Sequence, residues 1–216
     1  MANSKKVVAV LAGHGKQVKG KQSPMINDLD IPDEFVENGR FREWKYTRVI
    51  AGDVCAILKG MGYDVRNIVT EDDDISLGER ANRVNAICDK YGTGNVVLLE
   101  IHANAYGNGE EFTSANGWEA WTTKGKTKSD VLSEFLYKRA MKNMPDKKMR
   151  TDSSDGDLDK ESNFYVIRTV KCPAVLTENF FYTNKEDLLF MTSDQGIQEV
   201  VRTHVEGVID YLDSLK

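Results

Sequence analysis

Three polar residues follow apolar runs that read as buried strands. Val7 to Ala12 leads into Gly13-His14-Gly15, Val96 to Ile101 into His102, and Ala174 to Thr177 into Glu178. In open α/β sheets, ligands gather outside the C-terminal ends of the strands. Glu43 joins this set. Tyr46, Ile50, Val54, Ile57 and Met61 recur at helical spacing, and projecting that face backwards puts Glu43 inward in the first turn. A carboxylate facing a core is costly without a partner. The helix N-terminus favours its charge by only about 0.3–1 kcal/mol, so a partner is expected. His14, Glu43 and His102 make a His2Glu set, the ligand type of catalytic zinc with an open fourth position. Zinc lowers the pKa of a bound water from about 15.7 to around 7. Glu178, kept off the metal, is then the general base that takes the water proton and hands it to a leaving nitrogen.

Other readings stand beside this one. A histidine at a strand end is commonly a hydrogen-bonded loop residue. Glu43 can pair with Arg40 or Lys45, and Glu178 can cap a helix over Lys185 to Leu189. Residue types and spacing leave both readings open. His204, on the apolar face beside Val200, Val201 and Val208, reads as a packed or edge histidine and not a ligand.

The elements that position these residues alternate. Arg42 to Met61 reads as a helix stopped by Gly62, Tyr63 to Val69 as a strand, and Leu77 to Tyr91 as a helix. Trp118 to Thr122, Phe164 to Ile167 and Ala174 to Thr177 read as further strands, and Ser129 to Asn143 and 194–215 as helices. Residues 16–40 and 151–163 lack a period and read as long surface loops, of the kind that is often functional. Strands alternating with helices predict an α/β fold, a single domain with a twisted, mostly parallel mixed sheet and helices on both faces.

Composition narrows the class. The 216 residues carry 29 Lys plus Arg and 34 Asp plus Glu, a net charge of −5. An acidic chain lacks the footprint of a dedicated nucleic-acid binder. The three cysteines, Cys55, Cys88 and Cys172, are scattered and form no CxxC pair. They read as small buried hydrophobes and not as a disulfide framework or a zinc site. No apolar run approaches the roughly 20 residues of a membrane span. Met1 to Leu11 faintly resembles a signal peptide, but a buried first strand fits it better. Gly15-Lys16-Gln17-Val18-Lys19-Gly20-Lys21-Gln22 is nearly a P-loop. It lacks the Ser or Thr after the lysine and a helix directly behind it, so a nucleotide-binding protein is the distant alternative.

With these residues in place, the chain resembles the zinc-dependent N-acetylmuramoyl-L-alanine amidases of bacteria and their phages. The resemblance rests on Gly13-His14-Gly15 after the first strand and on Glu43 opening the first helix. Glu79-Arg80-Ala81-Asn82 matches the second helix, Ile101-His102-Ala103-Asn104-Ala105 the His-Ala-Asn-Ala motif, and Pro173-Ala174-Val175-Leu176-Thr177-Glu178, running on to Thr183-Asn184, the last motif. It implies one zinc per chain on His14, Glu43 and His102, with Glu178 as the catalytic acid and base. The implied reaction is hydrolysis of the amide between the lactyl group of N-acetylmuramic acid and L-alanine in peptidoglycan. Another zinc peptidase or amidase of similar fold, or an inactive wall-binding module, is the alternative.

Further expectations follow from the resemblance. Asn104 is placed to hydrogen-bond the substrate peptide, and Arg168 to pair with a stem-peptide carboxylate. The residue two before the second histidine is Glu100 where the family has a small one. Side chains alternate along a strand, so Glu100 faces the side of His102 and can orient its imidazole. Leu11-Ala12 replaces the Asp-Pro that often precedes the first motif, and Glu34 and Glu37 are fallback ligands to Glu43. Residues 1–216 are expected to form one catalytic domain without a separate wall-binding domain, acting as a monomer, without membrane insertion. The site of action is the cell wall, from the periplasm or the extracellular face. Lack of a clear signal peptide is expected of a lysin made in the host cytoplasm or of a chain trimmed of its signal.

Overall fold

Val7–Ala12 (β1) is six apolar residues, every one buried. Such a run needs cover on both faces. Val8, Val10 and Ala12 join one hydrophobic core, and Val7, Ala9 and Leu11 the other. The computed structural model describes residues 6–216; residues 1–5, where the signal-like reading begins, lie outside it.

The order continues with a hairpin of Val36–Glu37 (β2) and Arg40–Phe41 (β3), then Glu43–Gly60 (α1), Asp64–Asn67 (β4), Leu77–Tyr91 (α2) and Val96–Asn104 (β5). Glu119–Thr122 (β6), Lys128–Asn143 (α3), Lys160–Glu161 (β7) and Tyr165–Thr169 (α4) follow. Ala174–Phe181 (β8), Lys185–Thr192 (α5) and Asp194–Ser214 (α6) complete it. The six-stranded sheet runs β4-β1-β5-β8-β6-β7. Only β6 against β8 is antiparallel. Helices α1, α3, α5 and α6 pack on one face, while α2 and α4 cover the other. This is the expected α/β class with a mostly parallel mixed sheet. Among the described residues no helix is long and apolar enough to cross a membrane. The three cysteines are buried and free.

Several boundaries differ from expectation. Phe164 to Ile167 is not a strand but leads into α4, with Val166 and Ile167 buried. A short apolar run cannot be told apart by period alone. β5 extends through His102 to Asn104, and β8 through Glu178 to Phe181, so both site residues lie inside strands and not beyond their ends. The 16–40 segment holds the β2–β3 hairpin. Its turn is Asn38-Gly39, both with positive φ (52° and 71°), the type I′ signature. Ile57 and Met61, expected inward, are exposed.

The 151–163 segment carries β7 and a buried acid. Asp159 accepts a hydrogen bond from the Thr122 hydroxyl at 2.6 Å, while its other carboxyl oxygen is buried without a partner. Burial, reinforced by Asp157 and Asp130, pushes its pKa up to about 7. The folded chain therefore holds a proton that the unfolded chain releases near the usual carboxylate value. Stability falls as pH rises through that window. Asp159→Asn keeps an acceptor for Thr122 and removes the titration. Its stability relative to the parent is expected to improve from pH 5 to pH 8 in urea unfolding. An equal difference at both pH values would reject this account.

Candidate active site

The sheet alternation brings polar groups to one end of the α2 and α4 face. Along β5, Val96 and Leu98 belong to that core, and Glu100, His102 and Asn104 continue the same side. Along β8, Ala174 and Leu176 lead likewise to Glu178. His102 and Glu178 stand directly opposite each other in the parallel register.

His14 is delivered by a clamped turn. Its φ is +54°, a left-handed conformation that non-glycine residues rarely adopt. Arg48 donates to its carbonyl at 2.8 Å and Arg80 at 3.0 Å. Arg80, 2% exposed, also donates to the Ala12 carbonyl at 2.7 Å, and the Thr47 hydroxyl holds the Gly13 carbonyl at 2.9 Å. Gly13 has no alternative, because a Cβ there would meet the His102 ring at 2.4 Å. The backbone strain at His14 is thus overdetermined by charged donors from α1 and α2.

Glu43 is fully buried at the first position of α1. One carboxylate oxygen lies 3.1 Å from His102 Nδ1 and accepts the Ala103 amide at 3.1 Å. The other lies 3.6 Å from His14 Nε2 and has no hydrogen-bond partner. The imidazole rings stand edge to face, 4.8 Å between centroids. Ligand atoms of His14, Glu43 and His102 all lie within 4.8 Å of one another, and among the described residues no other such group exists. An orphaned buried carboxylate oxygen between two imidazoles fits a divalent cation. The alternative partners of Glu43 are engaged elsewhere: Arg40 with Glu110 and Lys45 with the Val36 carbonyl.

The electrostatics agree. Burial would raise Glu43, but the charges of His14 and His102 outweigh it and hold the carboxyl at about 2. Burial lowers His14 to about 3, against the pull of Glu43, leaving a neutral imidazole. Burial also opposes charge on His102, yet hydrogen bonds to Glu100 and Glu43 outweigh it and raise it to about 10. The acids therefore favour positive charge at His102, while burial keeps His14 neutral.

Glu178 has a different environment. No hydrogen bond or ion pair holds its carboxylate among the described residues, and Oε2 is buried without a partner. Burial chiefly, with Glu43 and Glu119 adding and His102 opposing, raises it to about 8. Its neighbours on β8 are fastened instead. A bulge sets Asn179 and Phe180 opposite Ala103 alone, with Phe180 at φ +70°. The Asn179 amide donates to the His102 carbonyl at 2.9 Å and to the Thr177 hydroxyl at 3.1 Å, and its carbonyl accepts from Trp118 at 2.8 Å. His204 donates its Nδ1–H to the Val200 carbonyl and accepts the Thr177 hydroxyl at Nε2, each at 2.8 Å. It is a buried support for the strand and lies outside the group of His14, Glu43 and His102.

The remaining sequence candidates divide. Glu100 is buried, with Oε1 3.4 Å from His102 Nε2. Asn104 has internal partners: it donates to Glu119 at 2.8 Å and accepts from Ala105. Arg168 lies outside the cleft, exposed, with its guanidinium over the Tyr165 ring at 5.6 Å. It lines a separate groove with Thr127 and Pro173. Glu34 is exposed and Glu37 pairs with Arg42 at 2.8 Å. The near-P-loop is followed by no helix until the single turn at 33–35.

A cleft of about 250 Å³ contains His14, His102, Glu100 and Glu178. Leu77, Phe164, Tyr165, Val166 and Leu176 form its apolar walls, and Lys21 is its one lysine or arginine. Sequence reasoning missed Lys21 and Leu77. Lys21 sits in a stretch without period, and Leu77, at the start of α2, faces this opening. An α/β domain with a His2Glu group and a free carboxylate beside it is the architecture of a metal-dependent hydrolase.

Comparison with known proteins gives the family. Residues 8–210 match the N-acetylmuramoyl-L-alanine amidase family. The endolysin of Bacillus phage SPP1 is 27% identical over 216 residues, covering 98% of this chain and 68% of that protein. The N-acetylmuramoyl-L-alanine amidase CwlM of Bacillus licheniformis is 32% identical over 140 residues, 64% of this chain and 47% of that one. The chain thus spans about two thirds of the phage relative and about half of the Bacillus one. In fold, the crystal structure of an N-acetylmuramoyl-L-alanine amidase from Clostridium difficile 630 superposes with a TM-score of 0.75 at 24% identity, covering 99% of this chain and all of the other. The chain belongs to the N-acetylmuramoyl-L-alanine amidase family, hydrolases that act on peptidoglycan.

Proposed function

We propose that this chain hydrolyses the amide between the lactyl group of N-acetylmuramic acid and L-alanine, with one zinc ion held by His14, Glu43 and His102. The observation that carries this is the convergence of those three side chains beside the unpartnered Glu178. Zinc bound there supplies Lewis acidity to the scissile carbonyl and the attacking water. Glu178 takes a proton from that water as its oxygen bonds to the carbonyl carbon. It returns the proton to the alanine nitrogen as the C–N bond breaks. Glu100 accepts from His102 Nε2 and fixes the tautomer that leaves Nδ1 facing Glu43. The apolar walls exclude water around the reacting amide.

The test is a joint measurement on purified protein. About one zinc per chain by elemental analysis is expected, with free alanine N-termini released from peptidoglycan. Release of other N-termini from within the stem peptide would assign the chain to a peptidase instead. Zinc content without any cleavage would leave a binding module.

A further inference from the structure

The cleft is rich in acids. Glu43, Glu100 and Glu178 surround the two histidines, so a negatively charged substrate group entering it meets repulsion. Lys21 is the exception. It lines the cleft, half-buried, and forms no hydrogen bond or ion pair through its ammonium among the described residues. Its charge acts on His14, Glu43 and Glu178 alike. Its backbone is fastened to the element that carries Glu43: the Lys21 carbonyl accepts the Glu43 amide at 3.2 Å, and Gln22 bridges to Arg42. The backbone thus anchors Lys21 at the cleft, and its ammonium reaches the site with its hydrogen-bonding capacity unspent. The guanidinium that sequence reasoning assigned to a substrate carboxylate, Arg168, faces another groove.

We propose that Lys21 is a specificity-determining residue that pairs with the free α-carboxylate of the D-glutamate following L-alanine in the stem peptide, so that the enzyme prefers unamidated over amidated stems. The inference rests on the amidase reading above. In peptidoglycan the second stem residue continues the chain through its γ-carboxyl, which leaves the α-carboxyl either ionised or capped as an amide. That group lies only about one residue, roughly 6 Å, from the scissile nitrogen. A group this close to the reacting amide must enter the region that Lys21 shares with Glu178. An ammonium there forms a charge-assisted hydrogen bond with a carboxylate and a weaker one with an amide oxygen. The acids behind it penalise an unpaired carboxylate, which sharpens the choice.

The experiment uses the full chain and two soluble, uncrosslinked glycan preparations whose stems differ only in D-glutamate or D-isoglutamine at the second position. Release of alanine N-termini is measured for each. The parent is expected to show a kcat/KM ratio of about tenfold in favour of the free acid. In Lys21→Met the ratio is expected to fall to one or below through a higher KM for the acid form, and Lys21→Arg is expected to restore it. A parent ratio near one, or a ratio that survives in Lys21→Met while both rates fall together, overturns the proposal. The second outcome would place Lys21 at the reacting carbonyl instead. Cleavage of neither preparation by the parent removes the amidase reading itself, a result distinct from cleavage of both at equal rates.

Discussion

Glu178→Gln is expected to lower kcat by about a thousand-fold, within the range measured for loss of a positioned general base, while zinc content stays at the parent level. The glutamine has nearly the same shape, and no hydrogen bond or ion pair among the described residues is broken by the change. The fold should tolerate it well. A bound cation would keep the native carboxyl ionised, but in the metal-free protein burial raises it to about 8, whereas the unfolded chain releases its proton near the ordinary glutamate value. The parent thus loses stability as pH rises through that interval, and the glutamine does not. After chelation, relative stability of the variant should therefore increase from pH 5 to pH 9. Kinetics, metal content and a thermal midpoint measured together separate a chemical loss from an unfolded protein. Normal cleavage by the variant would remove Glu178 from the mechanism, and loss of zinc would mean that it ligates.

Much of this site was legible in residue types because its chemistry is expensive. Glu43 lies on the buried face of a helix that the apolar period of Tyr46, Ile50 and Val54 announces, and a carboxylate there demands a partner. His14 and His102 follow short, largely apolar runs rich in valine and leucine that read as central strands. The sheet class and both helical layers follow from the same runs. What escaped was set by contacts between distant segments. Arg168 carries the right chemistry, but a short run read as a strand is in fact α4, and that turn points the side chain away from the cleft. Asn104 stands next to His102 in sequence, yet Glu119 on the neighbouring part of the sheet claims its amide. Lys21 has no periodic neighbours to give its direction, and only the closure of the long loop against α1 places it. The β8 bulge was likewise invisible, since nothing in Asn179-Phe180 demands a left-handed residue.

The bulge and the clamp explain why so sparse a site holds its shape. β5 and β8 lose regular pairing just where His102 and Glu178 face each other. The Asn179 side chain replaces the missing contact by reaching the His102 carbonyl, and Thr177 ties the strand to α6 through His204. On the other side, Arg48 and Arg80 fix the strained His14. Each of the three residues is fastened through its backbone, and the second Glu43 oxygen is left without a hydrogen-bond partner. Such preorganisation means that little reordering opposes metal binding.

Chelation is accordingly expected to abolish turnover and also to lower the thermal midpoint, with both restored by zinc. Removing the cation leaves Glu43 with one unpartnered oxygen in a buried site, and only His102 and the Ala103 amide then face the other. An ion present at a thousand times its dissociation constant stabilises the folded state by about 4 kcal/mol. For a chain of this length that corresponds to a midpoint shift of roughly 10 °C. Acid should release the ion as well, because protons compete for the same ligand atoms. Glu43→Gln supplies the control: it keeps the shape and removes the charge, so its midpoint should respond far less to zinc. A midpoint indifferent to chelator and to added zinc, in protein that still cleaves peptidoglycan, would separate the activity from this cluster and require another source for the activated water.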